Sequence, residues 1–454
     1  MQYFKPDGGF FVGDCMPFCH AGTFRLFYLL DENHHGALGG LGGHQWAQAS
    51  SRDLVHWEHH PLAIGITEDR EGSICTGSVF FHAGTYYGFY ATRMRDKTQH
   101  LSLAKSRDGI HFEKTDPNPF ASPPAGYDPF HYRDPVVFQD PGDGLFHMLA
   151  TARLVNGCIS DRGGCLAHLV SSDLQRWEVR EPFAVPGLPG EPECPDYFFW
   201  NGWHYFMFSN GGVTRYKMSR QPFGPWLRPK VDTLDGPAAR VMKTAAFGDG
   251  RRIGVAWIGT RRDSKDDGPF QFGGNAIFRE LVQHEDGTLG AKFPAEMTPT
   301  GNSLSAFDLC PLDPDTKIIE GHRIHVAPRQ GLGVAQCSGI PHNAHLSLRV
   351  IPQPGSHEFG LRLRSGNAFD TGYQLHFTPR DNAVNLQRQW IGGVDGLDHP
   401  FVLEIALRDD IIDVCIAGSR TLIDRCPERR GDKLLLYAQD SAVTFEVVEI
   451  AALP

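Results

Sequence analysis

The stretch Asn201-Gly202-Trp203-His204-Tyr205-Phe206-Met207-Phe208 places a turn dipeptide directly before a run of mostly aromatic residues. Asn-Gly favours the tight turn of a β-hairpin, and aromatic residues are enriched in strands. A turn glycine followed by a strand-like run occurs four more times, in residues 21–28, 83–90, 143–148 and 249–257. The five glycines, at positions 22, 84, 144, 202 and 250, are separated by 62, 60, 58 and 48 residues, which indicates an internal repeat.

A second repeat alternates with the first. Each copy begins with Ser and ends on an aromatic residue: Ser51 to Trp57, Ser106 to Phe112, Ser171 to Trp177 and, more weakly, Ser219 to Trp226. We assign Asp53, Asp108 and Asp173 to holding the turns of the first three copies through hydrogen bonds to backbone amides, and we expect the aromatic residue to cover the sheet edge. Units of this length with several strands predict propeller blades. The alternative, an irregular β-sandwich with coincidental glycines, does not explain two repeats in one order.

The repeat ends near residue 300, where Pro, Thr and Gly residues cluster. Beyond it, short alternating runs such as His345-Leu346-Ser347-Leu348-Arg349-Val350 predict an antiparallel β-sandwich. We therefore expect an all-β protein with a five-bladed β-propeller catalytic domain at residues 1–300, a linker at 301–311 and a β-sandwich domain at 312–454.

Composition narrows the range of functions. The 454-residue chain has a formal net charge of -10 and no long run of Lys or Arg, which argues against nucleic acid and membrane surfaces as partners. No basic segment followed by an apolar one opens the sequence, so we expect a cytoplasmic protein. The ten cysteines form no CxxC pair, and the histidines at 34–35 and 59–60 have no partners at zinc spacing. We interpret them as buried thiols and solvated loop histidines, and we expect no metal and no cofactor.

Three carboxylates occupy similar places in the repeat. Asp14 lies 8 residues before its turn glycine, Asp134 lies 10 before and Glu193 lies 9 before, with Glu191 as the alternative to Glu193. The strand before the first turn of a propeller blade is the innermost one, so we expect these side chains to converge on one pocket in the central channel. Bringing like charges together raises the pKa of at least one group, so such a cluster indicates a function.

The neighbours of these carboxylates suggest distinct roles. Arg133 can hold Asp134 or a substrate hydroxyl through its rigid fork of donors. The aromatic residues at 198–200 can lower the polarity around Glu193 and raise its pKa, as a general acid requires. Asp14 has no basic neighbour in sequence, so we expect it to be ionised and able to attack. One ionised carboxylate and one protonated carboxylic acid across a pocket is the arrangement of glycoside hydrolysis.

Several motifs, in one order along the chain, resemble glycoside hydrolase family 32, the β-fructofuranosidase, invertase and fructanase group. They are Phe27-Tyr28 followed by residues 46–59, then Cys75-Thr76-Gly77-Ser78, Tyr132-Arg133-Asp134-Pro135 and Glu193-Cys194-Pro195-Asp196. Cys75-Thr76-Gly77-Ser78 stands where the family has Phe-Ser-Gly-Ser. The resemblance covers nearly the whole chain and implies a five-bladed propeller followed by a β-sandwich, with a retaining mechanism that needs no cofactor.

The resemblance also implies roles for individual residues. Asp14 would be the nucleophile, Asp134 the transition-state stabiliser and Glu193 the acid/base. The candidate substrate-binding residues are Arg133, Trp46, Cys75, Thr76 and Lys243. For Lys243, an ordinary surface lysine is an equal alternative.

The sequence departs from the family pattern around the nucleophile. The family has Asn-Asp-Pro-Asn-Gly, whereas this chain has Gly13-Asp14-Cys15-Met16-Pro17, and Leu29 stands where a glutamine is expected. The carboxylates are kept, while side chains that would bind sugar hydroxyls are lost. We therefore expect the chemistry of the family with an altered recognition of the sugar.

These observations predict a retaining, exo-acting glycoside hydrolase that cleaves furanosyl linkages, above all β-fructofuranosyl ones, in small oligosaccharides or glycosides. One alternative is a fructosyltransferase or a difructose-anhydride-type transglycosylase, which passes the sugar to another hydroxyl. Another is a non-catalytic sugar-binding propeller. The expected partner is a small carbohydrate, and a homo-oligomer is left open.

Overall fold

The computed structural model describes residues 2–157, 159–297 and 307–453. In these ranges the regular structure is almost entirely strand, which confirms the all-β class. The helical segments are one short turn, α1 (Ala37–Gly40), and four 3₁₀ turns at Arg262–Ser264, Ala295–Met297, Phe369–Thr371 and Pro379–Asp381. No helix in the described part of the chain has the length and apolar character that a membrane span requires.

The chain divides into two compact units. Unit 1 comprises Met1–Thr233, Ala239–Thr260 and Gln271–Leu289, and unit 2 comprises Leu234–Ala238, Arg261–Phe270 and Gly290–Pro454. The division therefore differs from the predicted boundary at residue 300, because two short segments within residues 1–300 belong to unit 2, which also begins its long segment at Gly290. Residues 301–306 of the predicted linker lie outside the described residues, and its last three residues form a strand rather than a linker.

Five successive meanders of strands build unit 1, except that Arg261, Phe270 and residues 290–292 of meander 5 belong to unit 2. Meander 1 contains β1 (Phe10–His20), β2 (Thr23–Glu32), β3 (Gln45–Ser51) and β4 (Trp57–Ile64). Meander 2 contains β5 (Glu71–His82), β6 (Thr85–Met94), β7 (Gln99–Ser106) and β8 (Glu113–Lys114). Meander 3 contains β9 (Tyr127–Gln139), β10 (Phe146–Leu154), β11 (Gly164–Ser171) and β12 (Glu178–Ala184). Meander 4 contains β13 (Glu193–Trp200), β14 (Trp203–Asn210) and β15 (Val213–Ser219); meander 5 contains β16 (Ala239–Phe247), β17 (Arg251–Arg261), β18 (Phe270–Gln283) and β19 (Leu289–Lys292).

The repeated glycines lie where the sequence places them, in the turn between the first and second strand of each meander. All five have a positive φ, between 73° at Gly22 and 82° at Gly202 and Gly250. A side chain would be strained in that backbone conformation, which glycine adopts at little cost. The predicted hairpin turns are confirmed.

The second repeat holds turns and also joins neighbouring meanders. Asp53 Oδ1 accepts hydrogen bonds from the backbone N–H groups of Val55 and His56, at 2.9 and 2.8 Å, and Asp108 and Asp173 make the equivalent pairs of bonds. The aromatic residue that closes each copy packs against a ring of the preceding meander. These pairs are Trp57–Phe278, Phe112–Phe27, Trp177–Phe89 and Trp226–Phe183, with ring centroids 5.5 to 5.7 Å apart. The aromatic residue therefore joins two neighbouring meanders, whereas the sequence predicted only that it covers a sheet edge.

The first strands of the meanders form a closed ring of neighbours. β1 contacts β5 and β16, β9 contacts β5 and β13, and β13 contacts β16. Each first strand also carries a β-bulge, in which two residues interrupt the pairing with the second strand. The bulge residues are Gly13-Asp14, Cys75-Thr76, Asp134-Pro135, Cys194-Pro195 and Val241-Met242. A bulge turns side chains in a new direction, so five of them in one ring point a set of side chains towards a common centre.

Unit 2 contains two seven-stranded sheets. Their strands are β20 (Leu309–Pro311), β21 (Thr316–Glu320), β22 (Arg323–Val326), β23 (Leu332–Cys337), β24 (Ala344–Pro352), β25 (Glu358–Ser365), β26 (Tyr373–Thr378), β27 (Ala383–Leu386), β28 (Gln389–Ile391), β29 (Phe401–Arg408), β30 (Ile411–Ile416), β31 (Arg420–Arg425), β32 (Lys433–Gln439) and β33 (Val443–Ala452). The sheet orders are β20-β23-β32-β25-β26-β27-β28 and β21-β22-β33-β24-β29-β30-β31. Alternate residues such as Leu361 in one sheet and Leu346 in the other are fully buried in one shared core, as in a β-sandwich.

Candidate active site

The three predicted carboxylates line one cavity of about 230 Å³ inside unit 1. The cavity takes residues from the bulges of all five first strands, and Asp14, Asp134 and Glu193 come from β1, β9 and β13. This volume is below the usual range for pockets that bind drug-sized ligands, and it suits one small ring such as a monosaccharide. The pocket is called the active pocket below.

The bulges explain how residues at unequal distances from their turn glycines reach the same pocket. Asp14 is the second residue of its bulge, Asp134 is the first, and Glu193 comes immediately before one. Arg133 and Arg240 occupy the same place before a bulge as Glu193 does. The three acids are therefore not at one equivalent position, as their offsets suggest, but at three adjacent positions around a repeated irregularity.

The hydrogen-bond donors to Asp14 among the described residues are neutral. Its Oδ1 accepts a hydrogen bond from Trp257 Nε1 at 2.9 Å, and its Oδ2 accepts one from Thr76 Oγ1 at 2.6 Å and a longer one from the Cys194 thiol at 3.5 Å. The carboxyl is 9% exposed. Donors on both oxygens fix the direction of the carboxylate.

Asp134 is more deeply buried, at 3% exposure. Its Oδ2 accepts hydrogen bonds from the Cys194 backbone N–H at 3.1 Å and from Thr151 Oγ1 at 3.2 Å, and it lies 3.5 Å from Arg133 Nε. Burial raises the pKa of Asp134 and the charge of Asp14 adds to this rise, although Arg133 opposes it.

Glu193 faces the opening of the active pocket, with 38% of its side chain exposed. Burial by the pocket walls raises its pKa, and the like charges of Asp134 and Asp14 raise it further, while Arg133 lowers it through a 2.6 Å hydrogen bond from NH2 to Oε1. A carboxyl group with a raised pKa at a pocket opening has the properties of a general acid. The predicted direction of the shift agrees with the structure, but the predicted cause does not: residues 198–200 do not line the pocket, and Phe199 is 60% exposed.

Glu191, the alternative to Glu193, lies outside the lining of the active pocket. Its Oε1 accepts a hydrogen bond from Arg153 Nε at 2.6 Å and lies 3.3 Å from His131 Nδ1. Burial opposes its ionisation, but His131, Arg133 and Arg153 outweigh that effect and lower the pKa of Glu191 to about 2. A group that is ionised at every working pH serves as a counter-ion and not as a proton donor.

The predicted substrate-binding residues divide into two groups. Arg133, Cys75 and Thr76 line the active pocket. Trp46 does not: it is fully buried and donates its indole N–H to the Cys75 carbonyl at 2.9 Å, so it supports the bulge of β5 from behind. Lys243 also lies outside the active pocket and is only 3% exposed, with Nζ donating to the Pro195 carbonyl at 2.6 Å. It is neither a pocket-rim residue nor a surface lysine.

One side of the active pocket is formed by Leu29, His35, His44 and Phe272, which we call the aromatic wall. Gly13 lies against it: a Cβ atom there would stand 2.9 Å from Phe272 Cε1 and 3.2 Å from Leu29 Cβ. The first contact is shorter than real Cβ atoms show and the second is unusually tight, so a side chain at position 13 requires the ring of Phe272 to move. Two departures from the family pattern, Gly13 and Leu29, are therefore parts of one rearranged surface.

The histidines of the aromatic wall belong to a polar cluster in which His44 and Asp31 are buried and His35 and Arg93 are half-buried. His44 Nε2 lies 2.8 Å from Asp31 Oδ1, and His35 Nε2 accepts a hydrogen bond from Arg93 NH1 at 2.9 Å. Burial lowers the pKa of His35 to about 4, and the positive charge of Arg93 adds to the effect, so the ring is neutral near pH 7. The prediction of solvated loop histidines is therefore wrong for His35.

Several pocket residues escaped the sequence prediction. They are Arg93, Arg240, Trp257, Phe272, His35 and His44. Alignment of the five first strands on their bulges would have identified Arg240, because it precedes its bulge as Arg133 and Glu193 do. The others come from second and third strands and from loops, where the repeat carries no signal.

Among residues 2–157, 159–297 and 307–453, no group of three or more His, Cys, Asp or Glu side chains is placed to hold a metal ion. What the pocket offers is a carboxylate fixed by neutral donors, a second carboxyl with a raised pKa at the opening, and a third beside an arginine. Carboxyl groups with different environments around one sugar-sized pocket are an arrangement that glycoside hydrolases use.

The comparisons with known proteins identify the family. Residues 4–290 match the family model described as the glycosyl hydrolases family 32 N-terminal domain. The chain belongs to glycosyl hydrolase family 32. It is 30% identical to a raffinose invertase of Escherichia coli over 269 residues, which cover 52% of this chain and 52% of that relative. The matches extend over about half the length of such curated relatives.

Solved structures agree with this assignment at the level of the fold. Sucrose-6-phosphate hydrolase from Lactobacillus gasseri superposes with a TM-score of 0.74 at 16% identity, covering 100% of this chain and 92% of that one. Fructan 1-exohydrolase IIa from Cichorium intybus superposes with a TM-score of 0.72 at 17% identity, covering 99% of this chain and 97% of that one. At these identities the likeness establishes the fold alone.

Proposed function

We propose that the protein is a retaining glycoside hydrolase that releases furanosyl groups, β-fructofuranosyl groups first among them, from the ends of small oligosaccharides or glycosides. We further propose that the ring of five meanders is a five-bladed propeller with the active pocket on its axis. The observation that carries the proposal is the convergence of Asp14, Asp134 and Glu193 on one cavity of about 230 Å³. Membership of glycosyl hydrolase family 32 supports it.

Each carboxyl group has a role in this mechanism. Asp14, aligned by Trp257 and Thr76, attacks the anomeric carbon and forms a glycosyl ester. Glu193 gives its proton to the leaving oxygen, and the resulting carboxylate then takes a proton from the water that cleaves the ester. Asp134 accepts hydrogen bonds from ring hydroxyls, which strengthen as positive charge develops on the sugar. Arg133 holds Glu193 and Asp134 in position.

The aromatic wall supports the proposal that this enzyme prefers a different furanoside from the usual substrates of the family. Phe272 and Leu29 stand where amide side chains would bind hydroxyl groups in the family pattern. An apolar surface beside the nucleophile favours a sugar that presents C–H groups there, because a hydroxyl without a partner loses its hydrogen bond to water. We propose that the preferred substrate has fewer polar groups on this side than sucrose does.

A substrate screen tests the proposal. Aryl furanosides and fructo-oligosaccharides are incubated with the wild-type chain and with Asp14→Ala and Glu193→Ala, and the products are identified. The expected result is free sugar from at least one furanoside and none from either variant. Full activity in both variants contradicts the proposal, and transfer products in place of free sugar indicate a transglycosylase.

The cytoplasmic location stays a prediction.

A further inference from the structure

One side chain of the aromatic wall, His44, has a polar atom that the protein itself does not use. Its Nε2 lies 2.8 Å from Asp31 Oδ1, and both side chains are buried, at 3% and 0% exposure. Its Nδ1 has no hydrogen-bond partner among the described residues. Polar atoms of buried residues normally have partners, so an unpaired one beside a pocket is a candidate contact for a ligand.

This nitrogen is open to the active pocket. Nδ1 of the neighbouring His35 is sealed by the atoms around it, whereas Nδ1 of His44 keeps some accessible surface. The His44 side chain lines the active pocket together with Asp14 and Leu29, and the rest of it is packed against the protein. The surface that remains therefore opens into the pocket, where a bound sugar would meet it.

The position of the imidazole ring is fixed from several directions. The backbone N–H of His44 donates to Ser73 Oγ at 3.2 Å, and its carbonyl accepts the N–H of Ile74 at 2.9 Å. The ring stacks on Phe272, with centroids 5.0 Å apart and an angle of 23° between the planes. A group that is held in place before binding loses little conformational freedom when it contacts a ligand.

Asp31 also determines which nitrogen of His44 carries the proton. Its Oδ1 accepts the backbone N–H of His35 at 2.8 Å, so the same oxygen is oriented as an acceptor towards His44 Nε2. We therefore assign the proton of the neutral imidazole to Nε2, which makes Nδ1 a hydrogen-bond acceptor. A hydroxyl group is the donor that a sugar offers to such an atom.

The place of His44 in the aromatic wall agrees with a role in sugar recognition. Phe272, on which its ring stacks, is also the ring that lies against Gly13. Gly13 and Leu29 are the positions at which amide side chains of the family pattern are absent. An acceptor at His44 Nδ1 restores one polar contact to the side of the pocket that lost them.

We propose that His44 selects the sugar, because its Nδ1 accepts a hydrogen bond from one hydroxyl of the furanosyl group bound in the active pocket. The inference rests on the proposed function for the class of ligand. It also sharpens that function: the preferred sugar has few polar groups on this side, and one of them is a hydroxyl that meets His44. The alternative is that His44 only supports the wall through its bond to Asp31.

Two substitutions separate these roles, because each keeps one of the two nitrogen positions of the ring. The longer side chain of His44→Gln reaches towards Asp31 as Nε2 does, and the shorter one of His44→Asn places a polar atom near Nδ1. His44→Gln should therefore keep Tm close to that of wild type and lose the contact with the sugar. His44→Asn should lower Tm and keep part of that contact.

The readout is a comparison of substrates and variants. The nitrophenyl furanoside that the wild-type chain cleaves fastest is measured beside its monodeoxy analogues, one for each hydroxyl of the sugar. We expect His44→Gln to lower kcat/KM for the parent substrate about tenfold, an effect typical of a hydroxyl that loses its partner in an enclosed site. For the one analogue that lacks the bonded hydroxyl, wild type and His44→Gln should have equal kcat/KM. Because both chains cleave the same analogue, effects of the missing hydroxyl on the chemistry cancel.

The matched control is His147→Gln. His147 is also a buried imidazole, at 3% exposure, and its Nε2 lies 3.1 Å from Asp143 Oδ2, but it is outside the lining of the active pocket. Its substitution should change kcat/KM by the same factor for the parent substrate and for every analogue.

Two results overturn the proposal: His44→Gln lowers kcat/KM equally for the parent and all analogues, or His44→Asn loses more kcat/KM than His44→Gln does. If neither variant folds, a crystal structure of Glu193→Gln with the bound nitrophenyl furanoside decides. A sugar hydroxyl within hydrogen-bond distance of His44 Nδ1 supports the proposal, and a carbon or a water molecule in that place overturns it.

Failure of the proposed function is a separate result. If the wild-type chain cleaves no furanoside, the proposed hydrolysis is wrong, and the same comparison is made with Kd measured by calorimetry on the same furanosides. Binding that depends on His44 and on one hydroxyl then supports the inference without hydrolysis. Absence of binding overturns the inference together with the proposed function.

Discussion

The active pocket has two sides that differ in how far they depart from the family pattern. The carboxylate side keeps Asp14, Asp134, Glu193 and Arg133, and Arg133 links two of the acids: NH2 donates to Glu193 at 2.6 Å and Nε lies 3.5 Å from Asp134. The aromatic wall replaces expected polar groups by Gly13, Leu29 and Phe272. The difference suggests that the bond-breaking chemistry and the choice of sugar are carried by separate surfaces, which can change independently.

The largest effect should come from the nucleophile. Asp14→Asn keeps the size of the side chain and removes the attacking charge, so we expect hydrolysis of an activated aryl furanoside to fall to the rate without enzyme. The matched control is Asp128→Asn, which changes a carboxylate that lies outside the active pocket and bonds to the Phe130 backbone. Wild-type rates in Asp14→Asn, measured on a chain with an unchanged circular dichroism spectrum, contradict the account.

The next largest effect distinguishes two neighbouring glutamates. Glu193→Gln should lower kcat by about 10²–10⁴-fold for an alkyl leaving group, the usual contribution of a general acid, and by much less for a nitrophenolate that needs no proton. Glu191→Gln should show the same leaving-group dependence as wild type, because Glu191 lies outside the pocket and has a pKa of about 2. If the leaving-group dependence changes in Glu191→Gln and not in Glu193→Gln, then Glu191 and not Glu193 is the general acid.

A pH profile examines the coupling between the carboxyl groups. Glu193 must be protonated to act as the acid, so kcat/KM should fall as the pH rises through its pKa. The negative charge of Asp134 raises that pKa, and Asp134→Asn removes the charge and should move the basic limb to lower pH. We also expect a loss of about 10²–10³-fold in kcat, as for other single stabilising groups. A basic limb that stays in place or moves to higher pH shows that the two groups are not coupled.

The smallest expected effect examines the aromatic wall. Gly13→Asn inserts a side chain against Phe272 and should lower the free energy of unfolding by about 1–3 kcal/mol, the usual range for overpacking. Gly13→Asn combined with Phe272→Ala should recover most of this loss and shift the substrate preference towards β-fructofuranosides. The control is Gly22→Asn, in a turn with nothing within 4 Å of the added Cβ. Its loss of stability reports only the strain of a positive φ, which asparagine tolerates better than most residues, so it should be smaller. Equal losses at both glycines would show that the wall is not tightly packed.

The sequence predicted those features that rest on local interactions. The turn glycines and the turns around Asp53 involve residues close together in the chain, so their roles follow from residue type. The convergence of the carboxylates was also predicted, because a repeat puts similar positions near a common axis, although the three acids stand at adjacent and not equivalent positions. Both kinds of inference need only spacing along the chain.

The errors arise where the direction of a side chain depends on the bulges. Strand side chains alternate between two sides, and an inserted residue reverses that alternation. Lys243 follows its bulge and lines a second cavity of about 200 Å³, whereas Arg240 precedes the bulge and lines the active pocket. Trp46 and Phe272 depend on contacts between distant segments, which a single sequence does not encode as a pattern.

The most direct test of the central claim is to trap the covalent intermediate. Glu193→Gln is mixed with an activated aryl furanoside, quenched in acid during turnover and digested for peptide mass spectrometry. The good leaving group allows attack, while loss of the base slows the second step, so the ester should accumulate. The account predicts one glycosyl unit attached to the peptide that contains Asp14. A product of inverted configuration, or a glycosyl unit on any other carboxylate, would contradict it.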